Sequence, residues 1–317
     1  MTGLVTFGET MLRLSPPRHE RLETATSLAV HPGGAESNVA VAATRLGADA
    51  TWLSKLPDSP LGRRVVADLN RYGLDVDVVW SDSGRQGTYY LELAGAPRET
   101  DVVYDRADAA VTSATADELA TETIRDAELF LTSGITPALS STLEETVGDL
   151  FEVAQEADVR TALDVNYRSK LWEPETARET LETYFPSIDV LVTPVRDAHT
   201  VLGEAGTADD VATALADRWG FDTVVITRGA DGATAYHEGT TVDRPAFETE
   251  TVAPVGTGDA FVGGFVASRL SGSDVGTALE YGAAVAALKR TIPGDVALVD
   301  REEVDRVVEG EHETISR

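Results

Sequence analysis

The sequence predicts an α/β protein built on a mainly parallel sheet, with a small second β-sheet attached. Short apolar, β-prone runs alternate along most of the chain with longer segments of helical periodicity, the pattern of successive βα units. Apolar residues make up 42% of the 317, enough for a full core in one large domain or one domain with an appendage. One stretch, residues 86–106, breaks the alternation with two β-prone runs in succession, which signals a hairpin and not a crossover.

Taken in order, residues 4–7 form a short apolar run ended by Gly8, a first buried strand. Residues 11–31 carry Pro16-Pro17 and apolar positions such as Leu22 and Leu28 without helical spacing, so they do not read as a helix. Residues 36–46 are Ala- and Val-rich at helical spacing, with Gly47 as the stop. Residues 51–53 read as a second core strand. Ser59-Pro60, an N-cap and a first-turn proline, open a helix that reaches about Tyr72 and closes at Gly73. Thr88-Tyr89-Tyr90-Leu91 and Val102-Val103-Tyr104 flank the turn Ala94-Gly95-Ala96-Pro97. With residues 11–31 this hairpin makes a small sheet standing off the body. The body then comprises residues 1–10, 32–85 and 107–317, and the small sheet 11–31 and 86–106. Core strands follow at 129–132, 161–165, 190–192 and 224–226, with helices between them. Two Ala-rich helices close the chain, one from Ala260 and one over residues 275–290, the second ended by Pro293-Gly294-Asp295.

Composition narrows the partners. The net charge is -28, from 54 acidic and 26 basic residues, a surface that repels nucleic-acid phosphates. Only Lys55, Lys170 and Lys289 are lysines, and the acidity is spread over the whole chain. This predicts a protein of a salt-rich cytoplasm, where self-repulsion is screened and carboxylates keep the surface hydrated; an ordinary acidic cytosolic protein is the alternative. There is no cysteine, hence no disulfide and no thiol chemistry. Met1-Thr2-Gly3-Leu4 has no basic-then-apolar character, and no apolar run reaches the roughly 18 residues of a membrane span. The expectation is a soluble, cytoplasmic protein without membrane or nucleic-acid partners. His19, His31, His199, His237 and His312 show no metal-ligand spacing.

Two Gly-rich elements carry the chemistry. Val255-Gly256-Thr257-Gly258-Asp259 is a tight turn that opens a helix with Asp259 at its first position. Glycines let the backbone approach an anion, and the free N–H groups and helix dipole stabilise its charge. An aspartate beside such amides can accept the proton of an attacking hydroxyl during phosphoryl transfer. On the local sequence alone, Asp259 reads equally as a helix cap. The second element, His31-Pro32-Gly33-Gly34-Ala35-Glu36-Ser37-Asn38, gives a ligand two glycines to lie against and, at Asn38, both a donor and an acceptor for hydroxyls.

Together these segments resemble the two signatures of the ribokinase/PfkB carbohydrate kinases. Pro32-Gly33-Gly34-Ala35-Glu36-Ser37-Asn38-Val39-Ala40 is similar to the first, and Pro254-Val255-Gly256-Thr257-Gly258-Asp259-Ala260-Phe261 to the second, in the family's order. The resemblance implies a ribokinase-like three-layer α/β/α core with a β-lid, and residues 11–31 and 86–106 match that lid. It implies ATP with Mg²⁺ as phosphoryl donor, Asp259 as the base, and Gly256, Thr257 and Gly258 as the anion hole. Thr227-Arg228-Gly229-Ala230-Asp231-Gly232 resembles the segment near the ATP phosphates, which assigns Thr227, Gly229 and Gly232 to the nucleotide. Ala284 and Ala287 resemble small residues of the adenine slot, and Asp197 a carboxylate that acts on magnesium through water.

Within the family the chain most resembles 2-keto-3-deoxygluconate kinases. The segments are Gly8-Glu9-Thr10-Met11, Tyr89, Tyr104 with Arg106, Asp164-Val165-Asn166-Tyr167-Arg168 followed by Leu171-Trp172, and Pro293-Gly294-Asp295. Gly33, Gly34, Asn38, Tyr89, Tyr104, Arg106, Arg168 and Asp295 are then the expected substrate residues. Arg106 and Arg168 offer forked donors to a sugar-acid carboxylate, or else they are surface ion-pair residues. Kinases of fructose or another neutral sugar, and a non-catalytic sugar-binding regulator, are the alternatives. The chain departs from the family at Ala253, where aspartate is usual, at Pro194, where asparagine is usual, and at Thr257, where alanine is usual. The free lid edge predicts a homo-oligomer.

Overall fold

The structure, a computed structural model, describes residues 2–17, 20–95 and 97–310. His19, His312 and the hairpin-turn residue Ala96 lie outside the described residues. The elements run β1 (Thr2–Phe7), β2 (Met11–Ser15), β3 (Ala29–Gly33), α1 (Ala35–Arg45), β4 (Ala50–Pro57), α2 (Pro60–Arg71), β5 (Asp75–Ser81), β6 (Thr88–Glu92) and β7 (Asp101–Asp105). Then come α3 (Thr121–Arg125), β8 (Ala127–Ser133), α4 (Ser141–Glu156), β9 (Arg160–Asp164), α5 (Pro174–Tyr184), β10 (Val190–Pro194), α6 (Val195–Thr200), α7 (Ala208–Trp219) and β11 (Thr223–Thr227). The chain ends with β12 (Ala233–His237), β13 (Thr240–Arg244), α8 (Thr257–Leu270), α9 (Val275–Arg290) and α10 (Arg301–Val308).

Nine strands form one sheet in the order β13-β12-β11-β10-β9-β8-β1-β4-β5. From β5 to β11 all pairings are parallel, whereas β12 and β13 are antiparallel at one edge. Alternation along the strands sends side chains to two cores. Leu4, Trp52, Leu129 and Val225 join α1, α8 and α9 on one face, while Val5, Leu53, Phe130 and Val224 join α4, α5 and α7 on the other. Covering both faces is what a parallel sheet requires. The order of strand addition reverses between β1 and β8, and such a reversal opens a crevice at the carboxyl ends of the strands.

A second sheet, in the order β3-β2-β6-β7, unites the two segments expected to form the lid. It reaches further than residues 11–31 suggest, because β3 runs through Pro32 to Gly33, paired with Met11. The Ser59 hydroxyl caps α2 by accepting from the Gly62 amide at 3.2 Å. Sequence periodicity did not reveal β5, whose alternation of Asp75, Val76, Asp77 and Val78 belongs to a half-exposed sheet edge, nor the β12–β13 hairpin.

Helices α1 and α8 pack unusually close. A methyl group at Gly263 on α8 would lie 2.5 Å from the Ala42 Cβ and 2.7 Å from the Val39 carbonyl oxygen on α1. Only a glycine lets these backbones approach so near. Gly263→Ala is expected to cost about 1–3 kcal/mol through overpacking. Gly258→Ala, whose added methyl meets open space, should stay within about 0.5 kcal/mol. Chemical denaturation in concentrated KCl measures both, and equal midpoints would refute the close approach.

Candidate functional site

The crevice at the strand ends is a cleft of about 570 Å³ closed on one side by the small sheet. Glu9 follows β1, Asp164 ends β9, Pro194 ends β10 and Thr227 ends β11, and all four line it. Of the residues singled out in the sequence, Gly33, Gly34, Asn38, Tyr89, Tyr104, Arg106, Arg168, Thr227, Gly256, Thr257, Gly258, Asp259 and Asp295 also line the cleft.

At its centre, the Asn38 side-chain amide donates to Asp259 Oδ2 at 2.7 Å across 221 residues of sequence. Asp259 is the third residue of α8, not the first, because Gly256 in the left-handed region (φ 79°) starts the helix two residues earlier than expected. That placement alters the amide set. The Thr257 N–H donates to the Pro254 carbonyl at 3.3 Å. Among the described residues, the N–H groups of Gly256, Gly258 and Asp259 have no backbone acceptor outside α8. A first helical turn leaves such donors free, and they are suited to an anion. Burial raises the Asp259 carboxyl to about 6, and the Asn38 amide, the Arg168 charge and the Asn166 amide hold it from going higher. A base poised there is ionised at neutral pH yet basic enough to take a proton.

Neighbouring carboxyls respond to the same burial. Asp164 is raised to about 8 by desolvation and by the charge of Asp259, against the opposing charge of Arg168. Its carboxyl accepts from the Asn166 backbone N–H and side-chain amide, each at 3.2 Å, and Asn166 itself sits at φ 38°. Glu36, inside the first Gly-rich segment, is raised to about 7 by burial. It accepts from the Ser133 N–H (3.1 Å), the Ser133 hydroxyl (2.6 Å) and the Thr136 hydroxyl (2.8 Å), and so pins α1 to the end of β8. Gly8 is obligatory beside it, since a Cβ there would collide with the Glu36 carboxylate.

The two arginines part company. Arg106 donates to the buried carboxylate of Glu9, so half its fork is already used. Arg168 donates only to the carbonyls of Asn166 (3.4 Å) and Tyr167 (3.0 Å), and has no carboxylate partner among the described residues. Arg106, Arg168, Lys170 and Arg196 gather around a second hollow that adjoins the cleft. Arg106 and Lys170 lie 5.5 and 5.9 Å from the Tyr104 ring centre. Glu99 and Asp101 share this lining, and Arg106 and Arg196 are paired with Glu9 and Asp197, which leaves Arg168 and Lys170 as the cations there without a carboxylate partner among the described residues.

Asp295 is nearly fully buried, and it accepts from Arg13 on β2 and from the Tyr89 hydroxyl on β6. Asp295 and Tyr89 therefore tie lid to core, and their polar atoms are engaged with each other. Arg13 gave no signal in the sequence, because a single arginine in a lid strand matches no period.

Several expected residues fall elsewhere. Asp197 is fully buried, paired with Arg196 at 2.8 Å and capping the Tyr167 N–H at 3.3 Å; it does not line the cleft. Ala284 is wholly enclosed in the core between α8 and α9, which leaves no surface for a base, and Ala287 is nearly as buried. Gly229 and Gly232 lie beyond β11 and outside the cleft lining. Gly232, at φ 98°, is required by the close passage of the Arg244 carbonyl.

A helix start with free amides, a carboxylate held by an asparagine and a lid over both are the features of a phosphotransferase on a ribokinase-like fold. The chain belongs to the pfkB family of carbohydrate kinases, whose pattern matches residues 1–300. It is an ATP-dependent carbohydrate kinase. It is 58% identical over 99% of its length to a 2-dehydro-3-deoxygalactonokinase of Haloferax volcanii, covering 99% of that protein. It is 31% identical to a 2-dehydro-3-deoxygluconokinase of Thermoproteus tenax, over 93% of this chain and 90% of that one. The crystal structure of the 2-dehydro-3-deoxygluconokinase of Thermotoga maritima superposes with a TM-score of 0.92 at 34% identity, over 98% of this chain and 100% of that one. Among the described residues, no helix is long and apolar enough to cross a membrane.

The raised carboxyl of Asp164 makes a testable statement about stability. Folding lifts its pKa from the ordinary 3.8 to about 8, so the folded state holds an extra proton between those values and loses stability as pH rises across that window. Asp164→Asn removes this titration. Its melting temperature relative to wild type should be higher at pH 9 than at pH 6, and a difference independent of pH would contradict the assignment.

Proposed function

We propose that the chain transfers the γ-phosphoryl group of ATP to the terminal hydroxyl of a 2-keto-3-deoxy sugar acid, giving the 6-phosphate. The Arg168 guanidinium carries this reading. It is a cation in the cleft without a carboxylate partner among the described residues, suited to the bidentate capture of a substrate carboxylate. The gluconate-derived acid expected from sequence and the galactonate-derived acid differ in the configuration of one carbon. The similarity at 58% to a 2-dehydro-3-deoxygalactonokinase, against 31% and 34% to 2-dehydro-3-deoxygluconokinases, favours acceptance of both, with the galactonate-derived acid preferred.

In the proposed reaction, Asp259 accepts the proton of the attacking hydroxyl. That oxygen bonds to the γ-phosphorus as the bond from phosphorus to the ADP oxygen breaks. The proton then leaves Asp259 to solvent with product release. The amides of Gly256, Gly258 and Asp259 stabilise the charge on the transferring group. Magnesium bound with the ATP phosphates would neutralise part of their charge, beside the charge stabilisation that the amides supply. The lid excludes water, which would otherwise compete as acceptor. Outer lid strands β3 and β7 have unpaired edges among the described residues, and Val103 is 48% exposed on one of them, which supports self-association through the lid.

ATP turnover in concentrated KCl with magnesium, on both keto-acids, fructose and ribose, tests the reading. Asp259→Asn should lower kcat by roughly 10²–10⁴. Measured at pH 8, well above the Asp259 titration that Arg168 also influences, Arg168→Ala should lower kcat/KM for the acids by roughly 10–100-fold, the worth of a charge-assisted contact, and any residual fructose activity by much less. Since Asp259 must be ionised, kcat/KM should fall below about pH 6. Fructose turned over faster than either acid would sink the substrate assignment.

A further inference from the structure

Lys289 is one of three lysines in the chain, and the only one fully enclosed, at 0% exposure. Lys55 answers its own burial with Glu118 at 2.8 Å. Lys289 has no carboxylate partner among the described residues. Its Nζ donates to two backbone carbonyls, Ala253 at 3.4 Å and Ile292 at 3.2 Å. Burying an ammonium without a counter-ion is costly. An apolar side chain of similar length would fill the same space without that cost, so the charge calls for a use.

The two carbonyls belong to the two segments that frame the anion-binding turn. Ala253 lies three residues before Gly256, and the N–H groups of Val252 and Ala253 donate to the Arg290 carbonyl at 2.8 and 3.0 Å. Ile292 lies three residues before Asp295, whose backbone oxygen passes so close to Gly256 that no Cβ fits there. The Asp295 carboxylate in turn takes Arg13 and Tyr89 from the lid. One ammonium therefore joins the segment entering the turn, the loop lying across it and the C-terminal turn of α9, where the helix dipole favours a cation.

We propose, resting on the kinase reading above, that Lys289 is a tethered internal cation that clamps the Ala253 and Ile292 carbonyls and so keeps the amides of Gly256, Gly258 and Asp259 aimed at the transferring phosphoryl group. It is a positioning residue and touches neither substrate. The charged groups that face it are Asp295, Arg13 and Asp259. Burial lowers its pKa to about 8. The clamp is present below that pH and is lost as pH rises through it.

The test uses the full-length enzyme at fixed, high ionic strength, with sodium, potassium or ammonium chloride. Wild type should change by less than about twofold between the salts, because its cation is built in, and its kcat should decline above about pH 8. Lys289→Met should lose at least about tenfold in kcat, as expected when a preorganised site loosens, with KM for the sugar acid little changed and no alkaline decline. In Lys289→Ala, ammonium should restore kcat relative to sodium by filling the vacated carbonyl pair. Lys289→Met within twofold of wild type would overturn the proposal. So would a wild-type kcat flat from pH 7 to pH 10, which needs no folded variant. A wild type without turnover on any sugar acid would instead refute the kinase substrate reading.

Discussion

The hydrogen bond from Asn38 to Asp259 depends on one packing constraint, the close approach of α1 and α8, and the rest of the site is arranged around it. Each helix opens at a glycine-containing turn on the crevice, so each brings its functional residue within its first turn. Gly263 lets the two backbones meet. Glu36, two residues before Asn38, locks α1 onto the end of β8 through three accepted hydrogen bonds. Asn38 and Asp259 are 221 positions apart, and the chain between them supplies eight of the nine strands of the sheet that holds these two helices on one face.

The second constraint is charge. Glu9, Glu36, Asp164, Asp259 and Asp295 are gathered at the ends of the strands in a chain that is already strongly acidic. The fold handles each differently. Arg106 faces Glu9, and Arg13 with Tyr89 faces Asp295. Glu36 and Asp164 are raised to about 7 and 8 by burial, so they are largely or partly protonated near neutral pH. Asp259 remains ionised because an asparagine amide and Arg168 oppose its desolvation. Separating neighbouring carboxyls in this way leaves one ionised carboxylate, the base of the proposed reaction, among several neutral or paired acids. Arg168 and Lys170, without carboxylate partners among the described residues, set positive charge at the mouth of the cleft in an otherwise strongly acidic chain.

Much of this was legible in the sequence because it rests on local rules. The turn at Gly256, the helix at Asn38 and the lid hairpin each follow from glycine placement or from β-prone runs with turn residues between them. What stayed hidden depends on long-range pairing. Arg13 and Asp295 are 282 positions apart; Asp295 stands out by its motif, but Arg13 has no periodic or motif signal, so their pairing was invisible. The start of α8 came earlier than the sequence suggested because a left-handed Gly256 serves as its N-cap. Ala284 and Asp197 looked like site residues by position in a motif, yet packing sends both inward. Lys289 does carry a signal, as one of only three lysines in the chain, set in an Ala-rich helix.

The most direct test of the Asn38–Asp259 pairing is the acid limb of the kcat/KM profile in Asn38→Ala compared with wild type. The amide stabilises the Asp259 carboxylate, so its removal should move the limb from about pH 6 to a higher value, beyond any loss in the plateau. A limb that stays in place while the plateau falls would mean that Asn38 does not act on Asp259, and would contradict the account of how the two helices make the base.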